Sequence, residues 1–437
     1  MTQQLLKNPI PAWIMEKICR RYAKLTGKPL PAKAINPAVV SISEVTPLPP
    51  TVSTCHSHRR INLIVPALSE EHLFGGIATA LRCFDKLRAG FDGFRIIVSD
   101  ETHPKIVKNA FYSNWLLTDL DTCDTLQPNI VAAGHRANKM LAVHSGDVFM
   151  ATAWWTAHLG YAIINWQNEI FADSVDRKLI YLIQDFEPGF YPWSSRYALA
   201  EASYRKPNLT HAIFNTKILA EFFSQNGFAF SSKYILEPRL HPKLTEIRNN
   251  SNIFKKERRI LVYGRPGTDR NVFGLIVAGL KTWSKNYPHA KDWIVCSAGE
   301  SFESIPLGNG CTLENLGKLN IDQYSLELAR SSVGLSLMLS PHPSYPPLEM
   351  CAHGILTITN KFANKDLSSI SDQLINLLDL SPENISNSLS YACLLIDNKI
   401  KTNRYFTIET ASIKLDSKFL VDGQETDSLN ELAAHLI

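Results

Sequence analysis

From residue 61 onward, short apolar runs of strand length alternate with segments whose apolar residues recur at helical period. Strands are predicted at 61–65, 94–98, 148–151, 179–183 and 212–214, with helices at 76–87, 153–166, 195–204 and 217–225 between them. This alternation belongs to a mostly parallel sheet with helices on both faces. A polar, basic stretch at 243–259 interrupts it, and a second series then begins. Its predicted strands are 260–263, 294–297, 312–316, 333–339 and 356–359, and its helices 272–286, 321–330, 348–352 and 367–378. The pattern therefore predicts two open α/β domains with a boundary near 245. Open α/β sheets bind ligands beyond the carboxyl ends of their strands, so two of them face to face enclose a cleft.

The flanking regions read differently. Residues 37–57 are rich in Pro, Ser and Thr and read as a linker, so that 1–58 is an N-terminal helical extension with its linker. The first domain then spans 59–245 and the second 246–400. A tail at 401–437, whose packing the pattern leaves open, ends in a helix from 428, and another helix leads into it through 399. Residues 1–33 carry Lys7, Lys17, Arg20, Arg21, Lys24, Lys28 and Lys33 against Glu16, with Ile10, Trp13, Ile14 and Ile18 as an apolar stripe. Such a helix either packs on its own protein or makes peripheral contact with an anionic membrane.

Composition narrows the class. A chain of 437 residues exceeds what one core serves, and 45% apolar with 20% charged residues describes a globular protein rather than a disordered one. A net charge of +4 is too small for a nucleic-acid binder. The eight cysteines (Cys19, Cys55, Cys83, Cys123, Cys296, Cys311, Cys351, Cys393) lack metal-ligand spacing and read as reduced core residues. That suits a cytoplasmic location, and no run approaches the roughly 20 apolar residues of a membrane span.

Candidate chemistry gathers at predicted strand ends. Gly264-Arg265-Pro266-Gly267 closes the first strand of the second series. Glycines there admit close backbone approach, and an arginine can grip phosphate bidentately, or simply pair at the surface beside a turn. Gly317-Lys318 closes another strand, and a loop running from Ser340 to Glu349 through four prolines and His342 follows a third. Glu349, placed at a helix start, either accepts ribose hydroxyls or caps the helix. His342 either fills the loop or touches a sugar. In the first half, Gly75-Gly76 lead into a helix, and backbone amides there can approach an anion. Asp185 and Glu187 follow a strand and are general-base candidates toward a hydroxyl, or ion-pair partners. Tyr191 and Trp193 just beyond can pack on sugar faces, while Trp154, Trp155 and Trp166 read as core. No Asp-x-Asp pair is placed for a divalent ion, which predicts metal independence.

These second-half motifs resemble the donor domain of GT-B glycosyltransferases: a Gly-Arg turn, a later Gly-Lys strand end, a buried strand, then Ser340-Pro341 running into Glu349-Met350-Cys351-Ala352-His353-Gly354. With Gln184-Asp185-Phe186-Glu187-Pro188-Gly189-Phe190-Tyr191-Pro192 and Ala198-Leu199-Ala200-Glu201, they are similar to bacterial rhamnosyltransferases that use dTDP-rhamnose, over about 61–396. The resemblance implies two Rossmann-like domains facing across a cleft, and transfer of a sugar, L-rhamnose from dTDP-β-L-rhamnose, onto a glycan or polysaccharide. It implies Arg265, Lys318, Gly75 and Gly76 at the donor diphosphate, and Glu349, Gly264, Ser344 and Tyr345 at the ribose and nucleoside. No cofactor beyond the nucleotide-sugar is expected. Two departures stand out. Pro341 lies eight positions before Glu349, where many members have a second glutamate, and Arg270 and Asn271 stand near the place of the usual lysine. An idle glycan-binding scaffold and a nucleotide-sugar epimerase of the same fold are the alternatives.

Overall fold

The computed structural model describes residues 42–55, 59–68, 76–102, 112, 114–249, 256–402 and 424–436. From Val45 the chain forms one compact unit, and of Met1–Glu44 only residues 42–44 are described. The N-terminal helical extension, its basic stretch and its expected membrane contact therefore lie outside the described residues. So do Cys19 and Gly75.

The first ten strands are β1 (Pro50–Val52), β2 (Arg60–Val65), β3 (Gly93–Val98), β4 (Leu116–Asp119), β5 (Asn129–Ala132), β6 (Leu141–Val143), β7 (Asp147–Ala151), β8 (Leu179–Ile183), β9 (Thr210–Phe214) and β10 (Ser232–Ile235). Eight of them form one sheet in the order β10-β9-β8-β7-β2-β3-β5-β4, with parallel pairing throughout. β1 pairs with β6, which puts a short strand inside the expected linker. The helices of this half are α1 (Gly76–Leu87), α2 (Trp154–Phe171), α3 (Ser195–Ser203) and α4 (Lys217–Gln225). Every residue of β2 is buried, and neighbours such as Leu63 and Ile64 enter separate cores on opposite faces. That is the period of two in a strand covered on both sides. Each such side chain contributes about 1.5–3 kcal/mol by leaving water.

The second half opens with α5 (Pro242–Asn249) and continues with β11 (Arg259–Gly264), α6 (Phe273–Asn286), β12 (Ile294–Gly299), β13 (Ile305–Gly308), β14 (Cys311–Gly317), α7 (Ile321–Arg330), β15 (Val333–Leu335), α8 (Tyr345–Ala352), β16 (Leu356–Asn360), β17 (Leu374–Leu377), α9 (Pro382–Thr402) and α10 (Gln424–Leu436). Its sheet runs β13-β14-β12-β11-β15-β16-β17, and β13 alone is antiparallel. The chain steps from β11 outward to β14, then returns to β15 on the other side of β11. That reversal is the topological switch point, where the loops after β11 and β15 diverge.

Two expectations change, and the packing of the tail, left open by the pattern, becomes visible. The helix predicted at 367–378 is absent: Leu374–Leu377 instead pairs parallel to β16, and ladder pairing overrides a short ambiguous apolar run. The boundary near 245 falls inside α5, whose Leu244 is fully buried in one cluster with Leu261 and Cys296 of the second sheet. The tail returns to the first domain, where Leu429 and Leu432 join the core that contains α1, and the Tyr234 hydroxyl meets His435 Nδ1 at 3.0 Å.

The seven described cysteines are free thiols, buried except for half-buried Cys55. Among the described residues no helix is long and apolar enough to cross a membrane.

Candidate functional site

The site is built where the carboxyl ends of the two sheets meet. β11 ends at Gly264, where a Cβ would overlap the Ser297 hydroxyl and crowd the Phe273 ring, so only glycine lets β11 and β12 run this close. Gly264 thus acts through packing. Beyond it the Arg265 backbone N–H donates to Asn271 Oδ1 at 2.7 Å, and Asn271 Nδ2 donates to the carbonyls of Tyr263 (3.1 Å) and Leu337 (3.2 Å). Fully buried Asn271 therefore clamps the loops after β11 and β15 across the switch point. The Arg265 guanidinium is held by Glu300, at the end of β12, with Nε 3.1 Å from Oε1. Glu300 also accepts from the Gly267 backbone at 2.6 Å and the Thr268 hydroxyl at 3.1 Å, which fixes the turn.

Lys318 lies exposed just after β14. Gly317 pairs with Ala298, which pairs with Tyr263, so Lys318 and Arg265 share one sheet edge two strand spacings apart, roughly 10 Å. Gly317 takes φ +67°, the left-handed conformation that turns the chain toward α7.

Glu349 is differently placed from the expectation. α8 begins at Tyr345, because Pro346 and Pro347 sit in its first turn, where a missing N–H costs nothing. Glu349 is consequently in the second turn and does not cap the helix. Its Oε2 accepts from the Tyr324 hydroxyl on α7 at 3.0 Å, the one side-chain hydrogen bond it makes among the described residues. Burial pushes its pKa up to about 7, against the opposing effect of that hydrogen bond. The Tyr263 hydroxyl, itself raised by burial, feels Arg265, Glu349 and Glu300 together. Arg265 and Glu349 are thus brought to one place, while Tyr324 links Glu349 to the helix that follows Lys318.

Ser344 caps α8 with φ +68° and ψ 151°, a sparsely populated conformation for a residue with a Cβ. The loop before it braces itself: the His342 N–H donates to Ser340 Oγ at 2.9 Å, and the Ser344 N–H to His342 Nδ1 at 3.0 Å. Tyr345 lies with its ring 6.0 Å from that of His342.

From the first sheet, Asp185 follows β8 and spans the seam. Its Oδ1 accepts from Ser340 Oγ and from the Phe186 N–H at 2.8 Å, and Oδ2 lies 3.6 Å from Arg270 Nε. Arg270 stacks on the Phe190 ring, 3.9 Å from its centroid. Fully buried Lys365 donates to the Met338 carbonyl at 2.7 Å, and burial takes its pKa down to about 8 while Asp185 pulls it up. Lys365 emerges only in three dimensions, and nothing in the spacing announces Asp185 as its neighbour and that of Arg270. Glu300, Tyr263 and Tyr324 carry the same lesson.

Glu187 departs from the base expected of it. Its Oε2 accepts from Tyr181 at 3.0 Å and Tyr204 at 3.2 Å, and burial raises its pKa to about 8 despite them. Near neutrality it is mostly protonated and braces the segment beyond β8. Tyr191 accepts from Trp154 Nε1 at 3.0 Å, whereas Trp193 is 93% exposed and stacks on Tyr197 with planes 3° apart. Trp154 is core, Trp166 packs against the core, and half-buried Trp155 donates to Asp100 at 3.1 Å. Gly76 opens α1 with the Gln184 amide 3.0 Å from where its Cβ would be.

Comparison with known proteins places both halves. Residues 60–217 match the family model "WsaF, N-terminal domain" and residues 258–390 match "WsaF, C-terminal domain", together about two thirds of the chain. A Myxococcus xanthus O-antigen biosynthesis protein, RfbC, is 30% identical over 221 residues, 49% of this chain. The chain spans only 15% of that relative's length. Among solved structures, Anabaena HepE in complex with UDP and glucose is similar (TM-score 0.52, 11% identity, 87% of this chain and 99% of that one). So is a UDP-forming trehalose-phosphate synthase from Burkholderia xenovorans with glucose-6-phosphate (TM-score 0.52, 8% identity, 87% and 100%). Sucrose-phosphate synthase from Thermosynechococcus elongatus has TM-score 0.51 and 12% identity over 86% of this chain and 94% of that one. The architecture is that of the GT-B fold, two Rossmann-like domains.

Proposed function

The chain belongs to the WsaF family, and on that premise we propose that it is a glycosyltransferase that moves L-rhamnose from dTDP-β-L-rhamnose onto a glycan or polysaccharide such as an O-antigen. The observation that carries this reading is the gathering of Arg265, Lys318 and Glu349 on the carboxyl edge of one sheet, with Tyr263 beside both Arg265 and Glu349. In this reading the ionised Glu349 carboxylate accepts the ribose hydroxyls while Tyr324 holds its other oxygen. Arg265 and Lys318 meet the diphosphate, with Arg270 at the end nearer Asp185. In this reading Ser344 and Tyr345, at the start of α8, meet the nucleoside as well.

As the glycosidic bond breaks, the nucleoside diphosphate leaves with growing negative charge. Cations fixed in advance at that charge lower the barrier most, and these protein side chains perform that task without a metal. Asp185 takes the base role toward the acceptor hydroxyl: it stands at the seam with Ser340 and Arg270, and Arg270 then exchanges part of its pairing with Asp185 for phosphate. Glu187, neutral and bonded to two tyrosines, positions that segment. The Trp193–Tyr197 pair offers a flat aromatic face to an acceptor sugar.

Calorimetric titration with dTDP, UDP and GDP, followed by a donor screen for transfer or hydrolysis with and without acceptor, tests the reading. It expects dTDP to bind and dTDP-β-L-rhamnose to turn over. Arg265→Ala weakens diphosphate binding and Glu349→Ala weakens recognition of the nucleoside. Failure of every nucleotide to bind would favour a glycan-binding scaffold, and turnover to an isomeric nucleotide-sugar without acceptor would favour an epimerase.

A further inference from the structure

His342 is 7% exposed, and its imidazole has one assigned nitrogen and one without a partner. Nδ1 accepts the Ser344 backbone N–H at 3.0 Å, so the proton of the neutral ring resides on Nε2. Nε2 is buried and has no hydrogen-bond partner among the described residues. A buried donor without an acceptor is destabilising, and such an N–H is retained where something else supplies the oxygen. The loop holding the ring is braced at Ser340, whose Oγ accepts from the His342 N–H and donates to Asp185, and the Ser344 N–H holds the ring itself. Its direction is set in advance rather than chosen on binding.

Two groups of side chains line the seam, and His342 belongs to one of them. Glu349, Arg265 and Glu300 surround Tyr263, whereas the charges that His342 faces are Asp185, Lys365 and Arg270. Arg270 lies between the groups, since its charge is felt alongside those of both Arg265 and Asp185. A nucleotide-sugar whose nucleoside is read at Glu349, and which reacts beside Asp185, therefore passes its diphosphate by Arg265 and Arg270. In that reading the sugar comes to the Asp185 group, to which His342 belongs.

Resting on the glycosyltransferase reading above, we propose that His342 is a specificity-determining residue whose fixed Nε2–H donates a hydrogen bond to an oxygen of the transferred sugar. Pro341 supplies no carboxylate to accept from sugar hydroxyls, so this loop reads the sugar through a donor and requires an oxygen that accepts. The ring works as a donor and not as a proton-transfer group. Burial, with the Lys365 and Arg270 charges, holds its pKa down to about 4 against the pull of Asp185, so it stays neutral through the working range.

Calorimetric titration of the full chain with dTDP and with dTDP-β-L-rhamnose, for wild type, His342→Phe and His342→Gln, separates the possibilities. Glutamine can place an amide N–H near the Nε2 position, and phenylalanine keeps the ring without a donor. The expected result is dTDP affinity within about twofold in all three forms, dTDP-rhamnose affinity about tenfold weaker in His342→Phe, and recovery to within about threefold in His342→Gln. Thermal melting of both variants reports folding, and 15N NMR should show the ring as the neutral Nε2–H form from about pH 5.5 to about pH 8. Equal loss of dTDP and dTDP-rhamnose binding, unchanged dTDP-rhamnose binding in His342→Phe, or an Nδ1–H ring would overturn the proposal. A wild-type protein that binds no nucleotide would overturn the glycosyltransferase reading and this inference together.

Discussion

Glu187 in the first domain and Glu349 in the second both lie beyond the carboxyl edge of a parallel sheet, and each accepts from tyrosine hydroxyls buried beside it. Glu187 has two such donors on a single oxygen and a pKa raised to about 8; Glu349 has one donor and a pKa raised to about 7. Tyr181 and Tyr204 are packed into the first domain's main core with Phe214 and Phe223. Tyr324 stands on a helix that follows an exposed lysine at the sheet edge. The Trp154 backbone N–H reaches Glu187 as well, so the same chemistry braces a backbone segment in one place and leaves a carboxylate oxygen for a ligand in the other.

The comparison breaks most easily at the cations. Arg265→Ala is expected to weaken dTDP binding by about a hundredfold, since a charge-assisted grip on phosphate is lost and Glu300 is left without its partner. Glu187→Gln is expected to change dTDP affinity by less than about twofold. Its signature is in stability. A carboxyl whose folded pKa lies above its unfolded value favours the native state fully only below the unfolded value, and that contribution is lost as pH rises toward about 8. Thermal melts from about pH 5 to about pH 8 should therefore show the variant losing less stability than wild type, by on the order of 1 kcal/mol. Tyr324→Phe removes a hydrogen bond that lowers the Glu349 pKa. Its dTDP affinity near neutrality should fall about threefold, with the pH midpoint for binding moved upward. Smallest is Trp193→Ala, expected to raise the acceptor KM two- to threefold, with a melting temperature within about one degree of wild type because the indole is 93% exposed.

Much of the fold was legible because strand and helix periods alternate cleanly. α1, α4 and α7 occur as the spacing predicts, and β8 coincides with its apolar run. Misreadings came where tertiary pairing outweighs local pattern. β17 is recruited by β16, and β1 finds β6 some ninety residues away in a stretch that reads as linker. The prolines at 346 and 347 read as loop, although a helix's first turn accepts them, and this displaced the start of α8. For the site, Arg265, Lys318 and Glu349 stand next to glycine turns or in a proline-rich loop, signals that survive in one dimension. Asn271, Glu300, Lys365 and the tyrosines act through neighbours brought in from other strands, and spacing along the chain cannot show that.

The account rests most on Glu349 reading the nucleoside as an anion. The direct test is calorimetric titration of dTDP against wild type and Glu349→Gln between about pH 6 and about pH 8. The account predicts that wild-type affinity falls about tenfold as pH drops through about 7, because protonation removes an acceptor from the ribose. In Glu349→Gln, affinity should be weak at about pH 8 and change little more on acidification. A pH dependence of equal size in both forms, or equal affinity at about pH 8, would contradict it.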